Sequence, residues 1–182
     1  AFFFPPSNEF IPSNLDLVKD GVATPVKLVD NAQGKFWFQQ DHEFNLPKAQ
    51  ISMLFVSDEI CKSPRNWLLT ELFARSLTES LNEWNYFVAE AGSVTAVSAT
   101  RRGIRLVATG YSQRILTLLE GLSKKFRNVT LTEAGFDALK NKFMREMANQ
   151  DYVIAYQQVL YERDSLIRAP FIHRDEYKSL VA

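Results

Sequence analysis

The sequence predicts an α+β fold, an α/β roll in which a mostly antiparallel sheet is covered by helices on one face. The predicted strands occur as neighbouring hairpins and the predicted helices occur in runs, in the order β-β-β-α-β-β-α-α-α. The composition is globular, with 46% hydrophobic and 23% charged residues in a chain of 182. A single domain of this length can bury a core of its own.

We predict that residues 1–14 form an extended linker segment and that residues 15–182 form one domain, a fragment of a larger four-domain protein. Three prolines in the segment, at positions 5, 6 and 12, disfavour regular structure. The phenylalanines at positions 2 to 4 would form an exposed hydrophobic patch if they lay at a free chain end. We therefore expect this segment to dock on a surface outside the chain.

Three strands are predicted next. Residues 25–30 and 35–40 are rich in apolar and aromatic side chains and flank a polar turn at 31–34, which predicts a hairpin over 25–41. A third strand is predicted over 49–57, after the break at Pro47.

A long helix is predicted from Trp67 to about Glu90, with Ser63 as its cap, Pro64 in its first turn and Gly92 as its stop. Glu79, Glu83 and Glu90 are expected on its solvated side, whereas Trp84 and Phe87 are expected to anchor it to the sheet. The full predicted apolar stripe consists of Leu69, Leu72, Phe73, Ser76, Leu77, Ser80, Trp84, Phe87 and Val88.

A second hairpin is predicted over 94–100 and 104–109, and a helix over 113–126 follows it. Thr130 and Glu133 have the spacing of a capping box for the next helix. The buried stripe of that helix is predicted to be Phe136, Leu139, Phe143 and Met147. A further helix is predicted over 151–166, and a short one is predicted to begin at His173, after Pro170.

Charge and cysteine content exclude several classes of function. The 21 basic and 21 acidic residues cancel, so we expect no nucleic-acid partner. No apolar run reaches the length of about 18 residues that a membrane-spanning helix needs. A single cysteine, Cys61, cannot form an intrachain disulfide, which suits a reducing compartment and a cytoplasmic location.

The motifs predict no catalytic, cofactor-binding or metal-binding residue in this chain. The two histidines, His42 and His173, are far apart, and no two His or Cys residues have the spacing of zinc ligands. The Asp-His-Glu run at 41–43 is interpreted as a solvated strand end, and Cys61 as a structural thiol. Glu71 and Arg75, four apart on a helix, are interpreted as an ordinary surface ion pair.

Several stretches together resemble the third domain of the pitrilysin-like zinc peptidases, the family of insulin-degrading enzyme. The similarity keeps order and spacing from about residue 8 to residue 180. The stretches that carry it are NEFIPSNLDLV (8–18), FWFQQDHEFNLPKAQISMLF (36–55), SLNEWNYFVAEAG (80–92), RGIRLVATGYSQR (102–114) and EAGFDALKNKFMREMAN (133–149).

The resemblance implies a peptidase of four related α/β-roll domains that closes as a clamshell around a peptide chamber. In that family the first domain carries the zinc motif H-x-x-E-H, and the third domain is its structural sister. The helix that takes the motif's place here reads WLLTELFAR over 67–75, without histidine. The resemblance therefore implies zinc in the catalytic domain of the full-length enzyme and none in this chain.

The sequence thus leads us to expect a noncatalytic domain of a zinc metalloendopeptidase that degrades peptides, forming part of the wall of the enclosed substrate chamber. Its expected partners are the other domains of the same peptidase and the peptides in the chamber, and homo-oligomerisation is left open. One alternative is a binding or scaffold domain of a catalytically inactive paralogue. Another is an independently acting hydrolase whose site no motif marks.

Overall fold

The computed structural model describes residues 7–17, 21–149 and 154–181, which form five strands and six α-helices. A single turn of 3-10 helix, Ser112–Arg114, leads into the third α-helix. In chain order the elements are β1 (Val26–Asn31), β2 (Gly34–Phe38), β3 (Lys48–Val56), α1 (Pro64–Ser80), α2 (Asn82–Glu90), β4 (Val94–Thr100), β5 (Gly103–Tyr111), α3 (Ile115–Arg127), α4 (Glu133–Asn149), α5 (Ala155–Ile167) and α6 (Arg174–Val181).

All described strand pairs are antiparallel, which confirms the predicted α+β class and both predicted hairpins. The strands are divided between two sheets. β1 and β2 form a two-stranded sheet, and β3, β5 and β4 form a three-stranded sheet in that order. β5 is the central strand, so Ala108 lies opposite Ile51 of β3 on one side and Thr95 of β4 on the other.

The hydrophobic core lies between one face of the three-stranded sheet and helices α1, α2 and α3. Leu106 and Ala108 point from β5 into this layer and are buried. Leu77 of α1 and Leu122 of α3 are fully buried against Leu106. Each such leucine contributes about 1.5–3 kcal/mol by leaving water, so this contact layer fixes the helices on one face of the sheet.

The predicted long helix is divided at Leu81 into α1 and α2. The carbonyl oxygen of Leu77 accepts hydrogen bonds both from the Ser80 hydroxyl, at 2.8 Å, and from the Leu81 N–H, at 3.1 Å. A serine hydroxyl that competes for a helix carbonyl bends the helix. The bend places Leu81 itself in the core, where it is buried.

The two ends of the α1–α2 unit are as predicted. Ser63 caps α1 by accepting a hydrogen bond from the Asn66 N–H, and Pro64 occupies the first turn. At the other end Gly92 has φ +68, a conformation that costs glycine little. The Gly92 N–H donates to Ala89 O at 2.9 Å and the Ser93 N–H to Val88 O at 3.1 Å, which is a Schellman motif.

The predicted stripe of this unit is wrong at three positions, since Leu69, Ser80 and Phe87 are exposed. Two different surfaces bury the first half of α1 and the end of α1. Leu68 and Leu72 pack against α4, whereas Leu77 and Leu81 pack under the sheet. One straight periodic stripe therefore cannot describe both contacts.

Helix α4 begins later than its predicted cap implies. Thr132, not Thr130, is the capping residue, and its hydroxyl accepts a hydrogen bond from the Gly135 N–H at 3.1 Å. Three residues of the predicted stripe are buried as expected, Leu139, Phe143 and Met147. Phe136, in the first turn, is 37% exposed and lines an open cavity beside Leu68 and Leu69 of α1.

The last helices agree with the predictions at most positions. α3 corresponds to the helix predicted over 113–126, and α6 begins one residue after His173. α5 corresponds to the helix predicted over 151–166, of which residues 151–153 lie outside the described part.

The start of the described chain lies against the domain. Phe10 is 3% exposed and belongs to the core cluster of Val88 and Leu118. Gln113 accepts hydrogen bonds from the N–H groups of Ser13, at 2.8 Å, and Asn14, at 3.0 Å. The predicted docking of the phenylalanines at 2 to 4 falls outside the described residues.

Candidate functional site: the open face of the sheet

The face of the three-stranded sheet that turns away from the helices is uncovered, and we call it the open face. Side chains alternate between the two faces of a strand, so the positions between the buried ones define the open face. Its central residues are Gln50, Ser52 and Leu54 of β3, Arg105, Val107 and Thr109 of β5, and Val94, Ala96 and Ser98 of β4.

Most side chains on the open face are small or polar, and some are basic. Val107 lies at its centre, between Ser52 on one side and Ala96 on the other. The Arg105 Nε donates to the Ser52 hydroxyl at 2.9 Å, which holds this guanidinium along the surface. At one end the Lys48 ammonium lies 5.2 Å from the centre of the Tyr111 ring. Strands β3, β4 and β5 place no carboxylate on this face.

Both outer strands of this sheet are edges within the described part of the chain. β3 and β4 each pair only with β5. An edge strand presents unpaired N–H and C=O groups that can bind an extended peptide as an additional strand. β3 has nine residues, which gives an edge of about 30 Å at the usual rise per residue.

The acidic residues of the α1–α2 unit lie away from the open face. Glu79, Glu83 and Glu90 are exposed on the helical side of the domain, as predicted. Trp84 is partly buried and packs against two core clusters, which confirms its anchoring role. Phe87 does not share that role, because it is exposed and lies edge to face with Tyr86 at 5.9 Å.

The possible zinc ligands among the described residues are dispersed and have other contacts. In α1, the carboxylate of Glu71 already accepts a hydrogen bond from Arg75 Nε at 2.8 Å. The His42 Nε2 lies 3.1 Å from the Gly21 carbonyl oxygen, and His173 lies among the rings of Tyr161 and Phe171. Over residues 7–17, 21–149 and 154–181, no three His, Cys, Asp or Glu side chains form a group that could hold a metal.

Cys61 is held as a thiol. Its Sγ donates to the Arg101 carbonyl oxygen at 3.3 Å. Burial raises the pKa of this thiol, with the nearby Arg101 charge opposing the shift. The nucleophilic thiolate is therefore disfavoured at neutral pH, as expected for a structural cysteine.

The open face is a candidate functional surface whose residues the sequence interpretation did not name. The sequence does contain a signal for this surface. Polar Gln50 and Ser52 alternate with apolar Ile51 and Met53, which indicates that one face of β3 is exposed to solvent. What the sequence could not indicate is which side chains of the three strands meet on this face, because that depends on the strand register.

Comparisons with known proteins agree on one family. The model of the middle or third domain of peptidase M16 matches residues 1–178. The human insulin-degrading enzyme is 30% identical over 180 residues, which cover 97% of this chain and 18% of that protein. The peroxisomal insulin-degrading enzyme-like 1 of Arabidopsis thaliana is 31% identical over 159 residues, which cover 86% of this chain and 16% of that protein.

A solved structure has the same fold. The crystal structure of pitrilysin superposes with a TM-score of 0.89 at 23% identity, over 100% of this chain and 20% of that one. The chain thus spans about a fifth of the length of the proteins it matches. None of the described helices combines the length and the apolar character that crossing a bilayer requires.

Proposed function

The chain belongs to the peptidase M16 family, as its middle or third domain, and from this premise we propose that it is a noncatalytic domain of a zinc metalloendopeptidase that degrades peptides. In this proposal the open face forms part of the wall of the enclosed substrate chamber. The observation that carries the proposal is an uncovered, carboxylate-free sheet face on a domain whose other face is packed with helices.

The chemistry of the open face suits an unfolded peptide. Serine, threonine and glutamine side chains can bond to peptide groups of any sequence, and Val107 and Leu54 offer modest apolar contact. Arg105 and Lys48 favour the approach of peptide carboxylates, with a weak attraction because both are near solvent. Such a surface can hold many peptides loosely, which a wall must do if bound peptides are to move along it.

The noncatalytic assignment is supported by the arrangement of the described residues, in which no group of possible metal ligands is found. A zinc peptidase needs metal ligands and a general base beside a metal-bound water. In this chain Glu71 is engaged with Arg75, and Cys61 is a thiol with a raised pKa. The proposed contribution of this domain is therefore to enclose and orient the peptide. Another domain of the polypeptide supplies the zinc site in this proposal. The proposed location of the protein is the cytoplasm.

The test uses the full-length polypeptide with two tryptophan substitutions. Gln50→Trp places a bulky side chain on the open face, and Glu120→Trp places the same side chain on the exposed helical side. We expect Gln50→Trp to raise KM several-fold for a peptide of some tens of residues, with zinc content unchanged. Glu120→Trp should leave KM unchanged, and equal effects of the two substitutions would argue against the wall assignment.

The catalytic status of the parent needs a separate measurement. Chelator-sensitive cleavage by the full-length polypeptide supports the peptidase assignment. A parent that lacks H-x-x-E-H in its N-terminal half and cleaves no peptide would instead be the scaffold paralogue. Chelator-sensitive cleavage by the 182-residue chain alone would overturn the noncatalytic assignment.

A further inference from the structure

Helix α5 exposes an apolar stripe along one side, which we call the outward stripe. Its members lie on the same side of the helix, and Arg163 interrupts them at the middle position. They are 60% to 85% exposed and comprise Tyr156, Val159, Leu166 and Ile167, whereas the neighbouring Leu160 lines a cavity beside Trp67.

The opposite side of α5, which faces the domain, is polar and aromatic. The Tyr161 hydroxyl accepts a hydrogen bond from the Arg174 N–H at 3.0 Å, and its ring lies 3.6 Å from the Arg174 guanidinium carbon. Asp164 is paired with Arg163 at 2.6 Å and with Arg168 at 3.2 Å. The usual arrangement of an amphipathic surface helix is therefore reversed, with the apolar side turned outward.

This arrangement leaves α5 short of stabilising contacts within the described chain. None of its thirteen residues is buried. A helix of fewer than about 12–15 residues is marginal in water, and most helices in proteins are stabilised by packing of an apolar face. The outward stripe is the face of α5 that could supply such packing, so it requires a covering surface.

We propose that the outward stripe of α5 is covered by another domain of the same polypeptide. This chain corresponds to 18% of the human relative, and its family is defined as a middle or third domain, so most of the polypeptide lies outside it. A tethered domain meets the stripe at a high effective concentration and covers it permanently. The stripe runs over twelve residues from Tyr156 to Ile167, about 17 Å of helix, which suits one facing helix or sheet.

The covering surface must itself be apolar. The one cation within the stripe, Arg163, is already paired with Asp164, so the partner needs no carboxylate opposite it. The proposal rests on the chain being one domain of a longer polypeptide, and it does not depend on peptidase activity.

Hydrogen exchange in the full-length polypeptide tests the proposal. Val159→Asp charges the middle of the stripe, and Gln157→Asp places the same charge on the same helix outside it. Because a charge opposes burial of the stripe, we expect Val159→Asp to accelerate amide exchange over 155–167 roughly tenfold or more and to lower Tm. Gln157→Asp should change neither, and Val159→Ile, which keeps an apolar side chain, should retain the protection.

Two results would overturn the proposal. In one, Val159→Asp and Gln157→Asp exchange at the same rate, so the stripe is uncovered. In the other, the protection of α5 falls on dilution together with dissociation of a dimer in sedimentation velocity, so a second copy covers the stripe. A failure of peptide cleavage with α5 protection intact would count against the proposed function alone.

Discussion

Phe10 and Trp84 meet edge to face, with ring centroids 5.4 Å apart and an interplanar angle of 84°. Phe10 comes from the extended segment before the first strand, whereas Trp84 lies on α2, so one aromatic contact fastens the start of the described chain to the helical layer. Asn8 reinforces it by donating from Nδ2 to the Phe87 carbonyl oxygen at 2.6 Å. Phe10 is thus part of the core.

We expect Phe10→Ala to lower the free energy of unfolding by about 3–5 kcal/mol, because it removes a buried ring and leaves a cavity beside Trp84. Ile11→Ala, at a neighbouring residue that is 54% exposed, should change it by less than about 1 kcal/mol. Urea unfolding followed by Trp fluorescence compares the two variants. Similar small losses for both would show that the segment is detached in solution.

Gly121 lets helix α3 approach Trp84 closely. A Cβ atom at this glycine would lie 2.8 Å from Trp84 Cζ2. Since Trp84 is held between two clusters, we expect Gly121→Val to destabilise the domain by about 1–3 kcal/mol through overpacking. Glu120→Val, at the exposed neighbouring position, is the control and should cost only a small propensity difference. Thermal unfolding monitored by circular dichroism measures both.

Arg75 joins α1 to α4 through Glu146, and its guanidinium lies 4.9 Å from the centre of the Phe143 ring. Partial burial lowers the pKa of Arg75, but its hydrogen bonds to Glu146 and Glu71 prevail and the pKa is raised. The arginine therefore stays charged, and the strength of the contact depends on its carboxylate partners.

We expect Glu146→Gln to cost about 0.5–1 kcal/mol of unfolding free energy, with a smaller cost at high salt. The control is Glu79→Gln, which breaks the looser pair of Glu79 with Lys142 across the same two helices, 3.8 Å apart and exposed. That change should be close to neutral. An equal loss in both variants would show that the Arg75 contact has no special strength.

Cys61 should react slowly with thiol reagents in the folded protein. Burial raises its pKa, so at a given pH less thiolate is present than for a free cysteine. We expect alkylation by iodoacetamide to reach its half-maximal rate at a higher pH than in urea, where the thiol is unfolded and solvated. A folded-state profile at or below the unfolded one would contradict the assignment as a structural thiol.

The stability of α5 should decrease in acid because of Asp164. The hydrogen bond from Arg163 lowers the pKa of Asp164 below its ordinary value of 3.8. A depressed carboxyl pKa stabilises the folded state above the unfolded pKa, and this contribution is lost as the pH falls below it. Asp164→Asn should therefore weaken the dependence of α5 exchange on pH between about 5 and 2, measured over 155–167. An unchanged pH profile would exclude Asp164 as its source.

Local signals were sufficient for most element boundaries. Ser63 with Pro64, and Gly92 after Ala91, mark the ends of the α1–α2 unit, since capping and positive φ depend on the residues at those positions. The third-domain resemblance was likewise confirmed by the family match. Periodicity failed at Leu69 and Phe87, where the identity of the facing surface decides which apolar residues are buried.

The sequence by itself determined the α+β class, the antiparallel hairpins, the family and the missing histidines of α1, because alternation, caps and residue identities are local properties. Only the tertiary structure decided that the strands divide into two sheets, that Phe10 enters the core, and that α5 turns its apolar side outward. These features depend on which distant surfaces meet. Burial is shared between partners that may lie a hundred residues apart, and no single stretch of chain records it.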